Sequence, residues 1–163
     1  MHRQLKDISI IIPCLNEAAC IETLYKELSQ VLASYSYPYE LLFVDDGSTD
    51  NTLEVLSIIT QADNRVHWIS LSRNFGHQKA LKAGIDAAKG QIVITMDADM
   101  QHPPTVIPRM LELWQEGYDI INTVRMENHK CSPFKKLTSQ WFYRLMNAWS
   151  EVHIVKLSLI HIS

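Results

Sequence analysis

The sequence predicts an α/β fold, a mostly parallel sheet flanked by helices. Three observations carry this. Short apolar, β-branched runs alternate with amphipathic helical stretches along the 163 residues. The runs are close to continuously apolar, as strands covered on both faces are. Each ends in turn-forming or charged residues, at the sheet edge where such folds bind ligands.

Five strands are expected, at residues 8–12, 40–44, 66–71, 91–96 and 118–124, with Pro13 stopping the first and Asp45-Asp46-Gly47-Ser48 the second. Between them, Ile21, Leu24, Leu28, Val31 and Leu32 recur at helical spacing. Leu53, Leu56 and Ile59 form a second stripe, behind Thr49, Asp50 and Asn51 as candidate N-caps. Ala80, Leu81, Gly84, Ile85 and Ala88 form a third, closed by Gly90 as a C-cap. Pro103-Pro104 opens a fourth helix, and Gly117 ends it. No repeat, low-complexity tract or linker interrupts the alternation.

Composition narrows the class. The length suits one domain. Hydrophobic residues make up 47% and charged residues 20%, which excludes a disordered, collagenous or coiled-coil chain. The formal net charge of −3 argues against a globally basic nucleic-acid binder. Cys14, Cys20 and Cys131 form neither a disulfide framework nor a zinc spacing and read as reduced thiols. The first seven residues are polar, without the apolar core of a signal peptide. No apolar run approaches the ~20 residues of a spanning helix. A chain that lies on a membrane surface remains compatible with both facts.

The strand-end segments carry the chemistry: residues 13–17, 45–50, 72–79 and 97–102, and Arg125. Three of the five are dominated by acidic groups. Asp97-Ala98-Asp99 sets two carboxylates around one small residue, so both can reach a hard divalent cation. Turn or cap aspartates are the plainer reading of that tripeptide, and Gln101 and His102 are either further ligands or exposed polar groups. At Asp45 and Asp46 a carboxylate could accept an N–H from a nucleobase, or could only shape the turn. Glu17 could bond a ribose hydroxyl with Pro13 forming the base-binding wall, or residues 16–17 could simply start a helix with Asn16 as N-cap. In residues 73–79, Arg73 and Lys79 could neutralise phosphates, or the loop could be merely solvated. It is neither a GxGxxG nor a P-loop. The histidines, His77 among them, fit no zinc spacing and read as structural or surface groups. From Arg125 to Trp149, basic residues interleave with Phe134, Leu137, Trp141, Leu145 and Trp149 at helical spacing. That pattern suits a membrane interface, or equally a helix packed on the sheet.

In combination these segments resemble family 2 glycosyltransferases. The residues are Ile10-Ile11-Ile12-Pro13-Cys14-Leu15-Asn16-Glu17, Val44-Asp45-Asp46-Gly47-Ser48-Thr49-Asp50, Arg73-Asn74-Phe75-Gly76 and residues 96–104 (MDADMQHPP). The closer likeness is to the dolichol-phosphate mannose synthase and polyprenyl-phosphate glucosyltransferase branch. The resemblance implies a GT-A, Rossmann-like fold, incomplete at the C-terminus. It also implies inverting transfer of a sugar from a UDP- or GDP-linked donor, of UDP-glucose or GDP-mannose type, to a polyprenyl phosphate at the cytoplasmic face of a membrane. It implies nucleotide contacts from Pro13, Glu17, Asp45, Asp46, Asp97 and Ala98, a Mg²⁺ or Mn²⁺ ion on Asp97, Asp99 and Gln101, and catalytic roles for Asp99 and Arg125. Nucleic acid is not an expected partner, and the sequence is compatible with an oligomer without fixing one.

One departure stands out. Relatives continue with a segment of GDFRL type, and none appears in residues 152–163. A partial transferase domain at 1–154 and a tail of doubtful membership at 155–163 are therefore expected. The alternative to an active transferase is a truncated module that binds nucleotide or nucleotide sugar without transfer. A phospho-receiver domain, another α/β fold with an acidic pair after a strand, fits less well: it needs a Lys after its last strand, where this chain has Arg125.

Overall fold

A computed structural model describes residues 7–35 and 37–123. Four strands, β1 (Ile8–Cys14), β2 (Tyr39–Asp45), β3 (Val66–Ser70) and β4 (Ile92–Thr95), form one sheet in the order β3-β2-β1-β4. All three pairings are parallel, with Ile10 opposite Leu41 and Ile94. The connections are helical: α1 (Ala18–Ala33), α2 (Thr52–Ala62) and α3 (His77–Ala87), with α4 (Ile107–Glu116) following β4 after a single 3₁₀ turn.

Strand alternation divides the core. Ile8, Ile10, Ile12, Leu41 and Phe43 face one layer, where Ile21, Leu24 and Leu28 of α1, Leu56 of α2 and Ile107 and Leu111 of α4 pack. Ile11, Leu42 and Val44 face the other, against Ala80 of α3. Helices thus cover both faces, as expected. The coverage is uneven, because α3 lies over β1 and β2. The edge strand β4 leaves Val93 exposed on that side, while β3 leaves Trp68, which pairs with Phe43, exposed on the other.

Three expected boundaries are corrected. Pro13 lies inside β1, opposite Val44. Ile11 O accepts from Met96 N on the β4 side, and Cys14 O accepts from Asp46 N on the β2 side. By alternation Pro13 faces the β4 side, beyond Thr95 where β4 has ended, so its missing N–H leaves no ladder bond unmade. Gly90 is not the cap of α3; Ala88 is. A Cβ on Gly90 would sit 2.6 Å from Ser9 N, so the residue is small because the chain passes directly over β1. The expected fifth strand is not observed in its described part, residues 118–123. Gly117 ends α4 in the left-handed region (φ 115°). Tyr118 and Ile120 are solvent-exposed there, and β4 pairs only with β1 among the described residues. An apolar run without a ladder partner leaves its backbone groups to water and does not become a strand.

No helix among the described residues is long and apolar enough to cross a membrane. The basic and aromatic segment from Arg125 to Trp149, the boundary at residue 154, the tail at 155–163 and Cys131 lie outside the described residues.

Candidate functional site

The carboxyl ends of β1, β2 and β4 open into one cleft of about 530 Å³. Pro13, Glu17, Asp46, Asp97, Ala98 and Asp99, all singled out from the sequence, line it. Cys14, Leu15, Asn74, Gly76, His77 and Ala80 complete its wall. Parallel strands that all point their C-termini one way bring these separate segments together.

The wall is built by loops that bond across one another. Asn16 sits in the left-handed region (φ 58°), so it is not the cap of α1 that its sequence context suggests. Its Oδ1 accepts from Thr49 N at 2.8 Å, and its own N–H donates to Ser48 Oγ at 2.8 Å. Glu17 occupies the cap position without a capping side-chain bond. The amides that open α1 are met from the next loop instead: Glu17 N donates to Thr52 Oγ1 at 3.0 Å and Ala18 N to Asp50 Oδ2 at 3.3 Å. Asp50 Oδ1 also accepts from Thr52 N at the start of α2. A side-chain hydrogen bond from Thr52, and then the backbone bonds from Thr52 and Ala18, hold the Asp50 carboxyl below its ordinary range.

The adjacent aspartates of β2 separate in role. Asp45 is fully buried, accepts from Ser48 N and Ser70 Oγ, and is not among the residues lining the cleft. Asp46 lines the cleft and clamps the third loop. Its Oδ1 accepts from Phe75 N and its Oδ2 from Gly76 N, each at 2.8 Å. Gly47 makes room for this clamp (φ 80°), since a Cβ there would lie 2.6 Å from Arg73 C and 2.7 Å from Asn74 N. Arg73 in turn stacks over the Phe75 ring, 4.8 Å from its centroid.

The fourth segment closes the site. Asp99 Oδ1 accepts from Gln101 N at 3.0 Å across Met100, which has φ 60°. The Gln101 side chain is not among the lining groups, and Arg125 lies outside the described residues. Across the cleft, His77 Nε2 stands 3.8 Å from Asp97 Oδ1.

The sequence reading missed His77 and Asn74 as parts of this wall. A signal was present: His77 directly follows the loop after β3, so the strand-end rule covers it, whereas the zinc-spacing test used for histidines does not. Cys14 was read only as a small buried residue. It lines the cleft while burial, with the Asp45 and Glu17 carboxylates adding to it, pushes its thiol up to about 12. Burial and the Glu17 carboxylate also raise the Cys20 thiol.

Asp97 and Asp99 present only oxygen donors, which suits a hard divalent cation. No cluster of three or more His, Cys, Asp or Glu that could hold a metal occurs among the described residues. Two carboxylates with the remaining positions filled by phosphate oxygens and water is the usual arrangement for Mg²⁺ at a diphosphate, so the residues present fit such an ion.

Comparison with known proteins agrees with this architecture. The chain is 42% identical over 146 residues to an uncharacterized glycosyltransferase, YkcC, of Bacillus subtilis, covering 90% of this chain and 45% of that one. It is 37% identical over 140 residues to the bactoprenol glucosyl transferase of Shigella phage SfV, covering 86% and 46%. The chain thus spans about half the length of the curated relatives it matches. Among solved structures it resembles glucosyl-3-phosphoglycerate synthase from Mycobacterium tuberculosis in complex with Mn²⁺, UDP and glucosyl-3-phosphoglycerate. The TM-score is 0.60 at 25% identity, over 87% of this chain and 50% of that one. The expected α/β sheet of GT-A type is observed. The model for "Glycosyl transferase family 2" matches residues 9–158, and this chain belongs to that family.

Proposed function

We propose that the cleft holds a nucleotide-sugar donor, and that the protein transfers its sugar to a polyprenyl phosphate at a membrane surface. The observation that carries the donor half is the convergence of Pro13, Glu17, Asp46, Asp97 and Asp99 on one cleft from three separate segments. In this reading Pro13, Glu17 and Asp46 bound the nucleoside, Ala98 leaves room beside it, and Asp97 and Asp99 face the diphosphate. A divalent cation, Mg²⁺ or Mn²⁺, held there would neutralise the charge that develops on the leaving diphosphate. Mn²⁺ in the M. tuberculosis structure supports that choice. Asp45 acts from behind, by fixing the turn that carries Asp46. Gln101 acts through its backbone on Asp99.

The polyprenyl acceptor rests on the likeness to the phage bactoprenol glucosyl transferase. A lipid phosphate is already an anion, so it needs little general-base help. One of its oxygens bonds to the anomeric carbon while the bond from that carbon to the diphosphate breaks, with inversion. Arg125, after the described residues, is the proposed basic neighbour of the phosphates.

The test is transfer of radiolabelled sugar, from a panel of UDP- and GDP-sugars, into an organic-extractable lipid phosphate. The expected result is transfer that needs divalent metal and vanishes in Asp99→Ala. Retained transfer in that variant overturns the metal assignment. Because the chain spans about half of its relatives, metal-dependent donor binding without transfer identifies it instead as a binding module.

A further inference from the structure

The cleft poses an electrostatic problem that one residue is placed to relieve. Glu17, Asp46, Asp97 and Asp99 all line it, and a diphosphate brings more negative charge to the same space. The Asp46 carboxylate is engaged by two backbone amides. Among the described lining residues, only His77 has a side chain able to carry positive charge.

Its placement is specific. His77 is the first residue of α3, and Gly76, His77 and Ala80 bring the positive end of that helix to the cleft. The Asp46 clamp on Phe75 N and Gly76 N fixes the backbone immediately before it. At 3.8 Å from Asp97 Oδ1, Nε2 is beyond hydrogen-bonding distance, and about half of the side chain is exposed. Nε2 therefore makes no hydrogen bond to the carboxylate facing it, on a side chain that lines the cleft.

We infer that His77 donates a hydrogen bond from Nε2 to a diphosphate oxygen of the donor, beside the carboxylates of Asp97 and Asp99. This rests on the donor reading above and adds to it a residue that fixes the diphosphate. The role needs only an N–H on Nε2.

The test measures the Kd of UDP, GDP, uridine and guanosine by calorimetry with the 163-residue chain, first with Mg²⁺ and then with Mn²⁺. A hydrogen bond to a charged oxygen predicts that His77→Ala weakens the tighter diphosphate about tenfold. The loss should be equal with either metal, the parent nucleoside should be unaffected, and His77→Lys should restore most of the affinity. His77 is half-exposed at a helix start, so both variants should melt within a few degrees of the unaltered chain. A loss equal for nucleoside and diphosphate would place His77 at the base and overturn the inference. A loss confined to Mn²⁺ would make it a metal ligand, because imidazole favours the softer ion, and would also overturn it. Unchanged diphosphate affinity overturns the inference while leaving the donor reading intact. If the unaltered chain binds neither diphosphate, the donor reading falls, and the inference with it.

Discussion

Asp46 is where folding and the site meet most directly. Its carboxylate accepts two backbone N–H groups, from Phe75 and Gly76, one on each oxygen at 2.8 Å, and only 3% of the residue is exposed. Asp46→Ala removes both acceptors and leaves two amides to find water in a crowded turn. A hydrogen bond to a charged group contributes about 1.5–3 kcal/mol, and the low end applies because Phe75 is itself partly solvated. The expected loss is therefore about 3 kcal/mol. For a chain of this size that corresponds to a Tm lower by roughly 6–12 °C. Asp46→Asn keeps one acceptor and turns an amide donor toward the other N–H, so it should lose at least half as much. Urea denaturation gives the stability, and native-state hydrogen exchange gives the location. The amides of Phe75 and Gly76 should exchange faster in both variants, while those of α1 should change only with global stability. A loss below about 1 kcal/mol, or unaltered exchange at 75 and 76, would refute the clamp.

Further predictions concern the surroundings. Gly47→Ala forces a Cβ to 2.6 Å from Arg73 C at a positive φ, so it should destabilise by about 1–3 kcal/mol in a urea titration. Arg65 bonds both Asp63 oxygens, which with Arg65 N and the Tyr25 hydroxyl lowers the Asp63 carboxyl to about 2. A carboxyl depressed in the folded state contributes stability above its unfolded pKa of about 3.8. That contribution is lost as pH falls from there through about 2. After allowance for screening near the surface it is about 1 kcal/mol, and Asp63→Asn should flatten the stability–pH curve across that interval. The Cys14 thiol, pushed up to about 12, should resist iodoacetamide at pH 8 in the folded chain and react once the chain is unfolded in urea.

How much of this was legible in sequence depends on whether the deciding partner was local. The run Ile10-Ile11-Ile12 declared a strand buried on both faces, and α3 on one side with α1 on the other confirm it. The same apolar logic failed at residues 118–123, since a strand also needs a neighbour to bond and the described residues supply none there. Asn16 reads locally as a helix cap, but Thr49 and Ser48, 33 and 32 positions away, hold it in another conformation. Asp45 and Asp46 look equivalent in a row of letters. The pleat turns one toward Ser48 and Ser70 and the other toward the third loop and the cleft. Pro13, Glu17, Asp97 and Asp99 line one cleft because parallel strands put all carboxyl ends on one edge, whereas Ala98 entered only through the family resemblance. His77 was missed because the histidines were weighed only by zinc spacing, although His77 stands at that same edge.

In the proposed function, Asp97 and Asp99 hold a nucleotide sugar through a divalent cation. Calorimetry of UDP- and GDP-sugars on the unaltered chain, with Mg²⁺ or Mn²⁺ and then with EDTA, tests it directly against an Asp97→Asn, Asp99→Asn double variant. Saturable binding of at least one donor is expected, lost with EDTA and in the double variant, while the variant's Tm stays within a few degrees. Donor binding that survives metal removal, or that persists in the double variant, would contradict it.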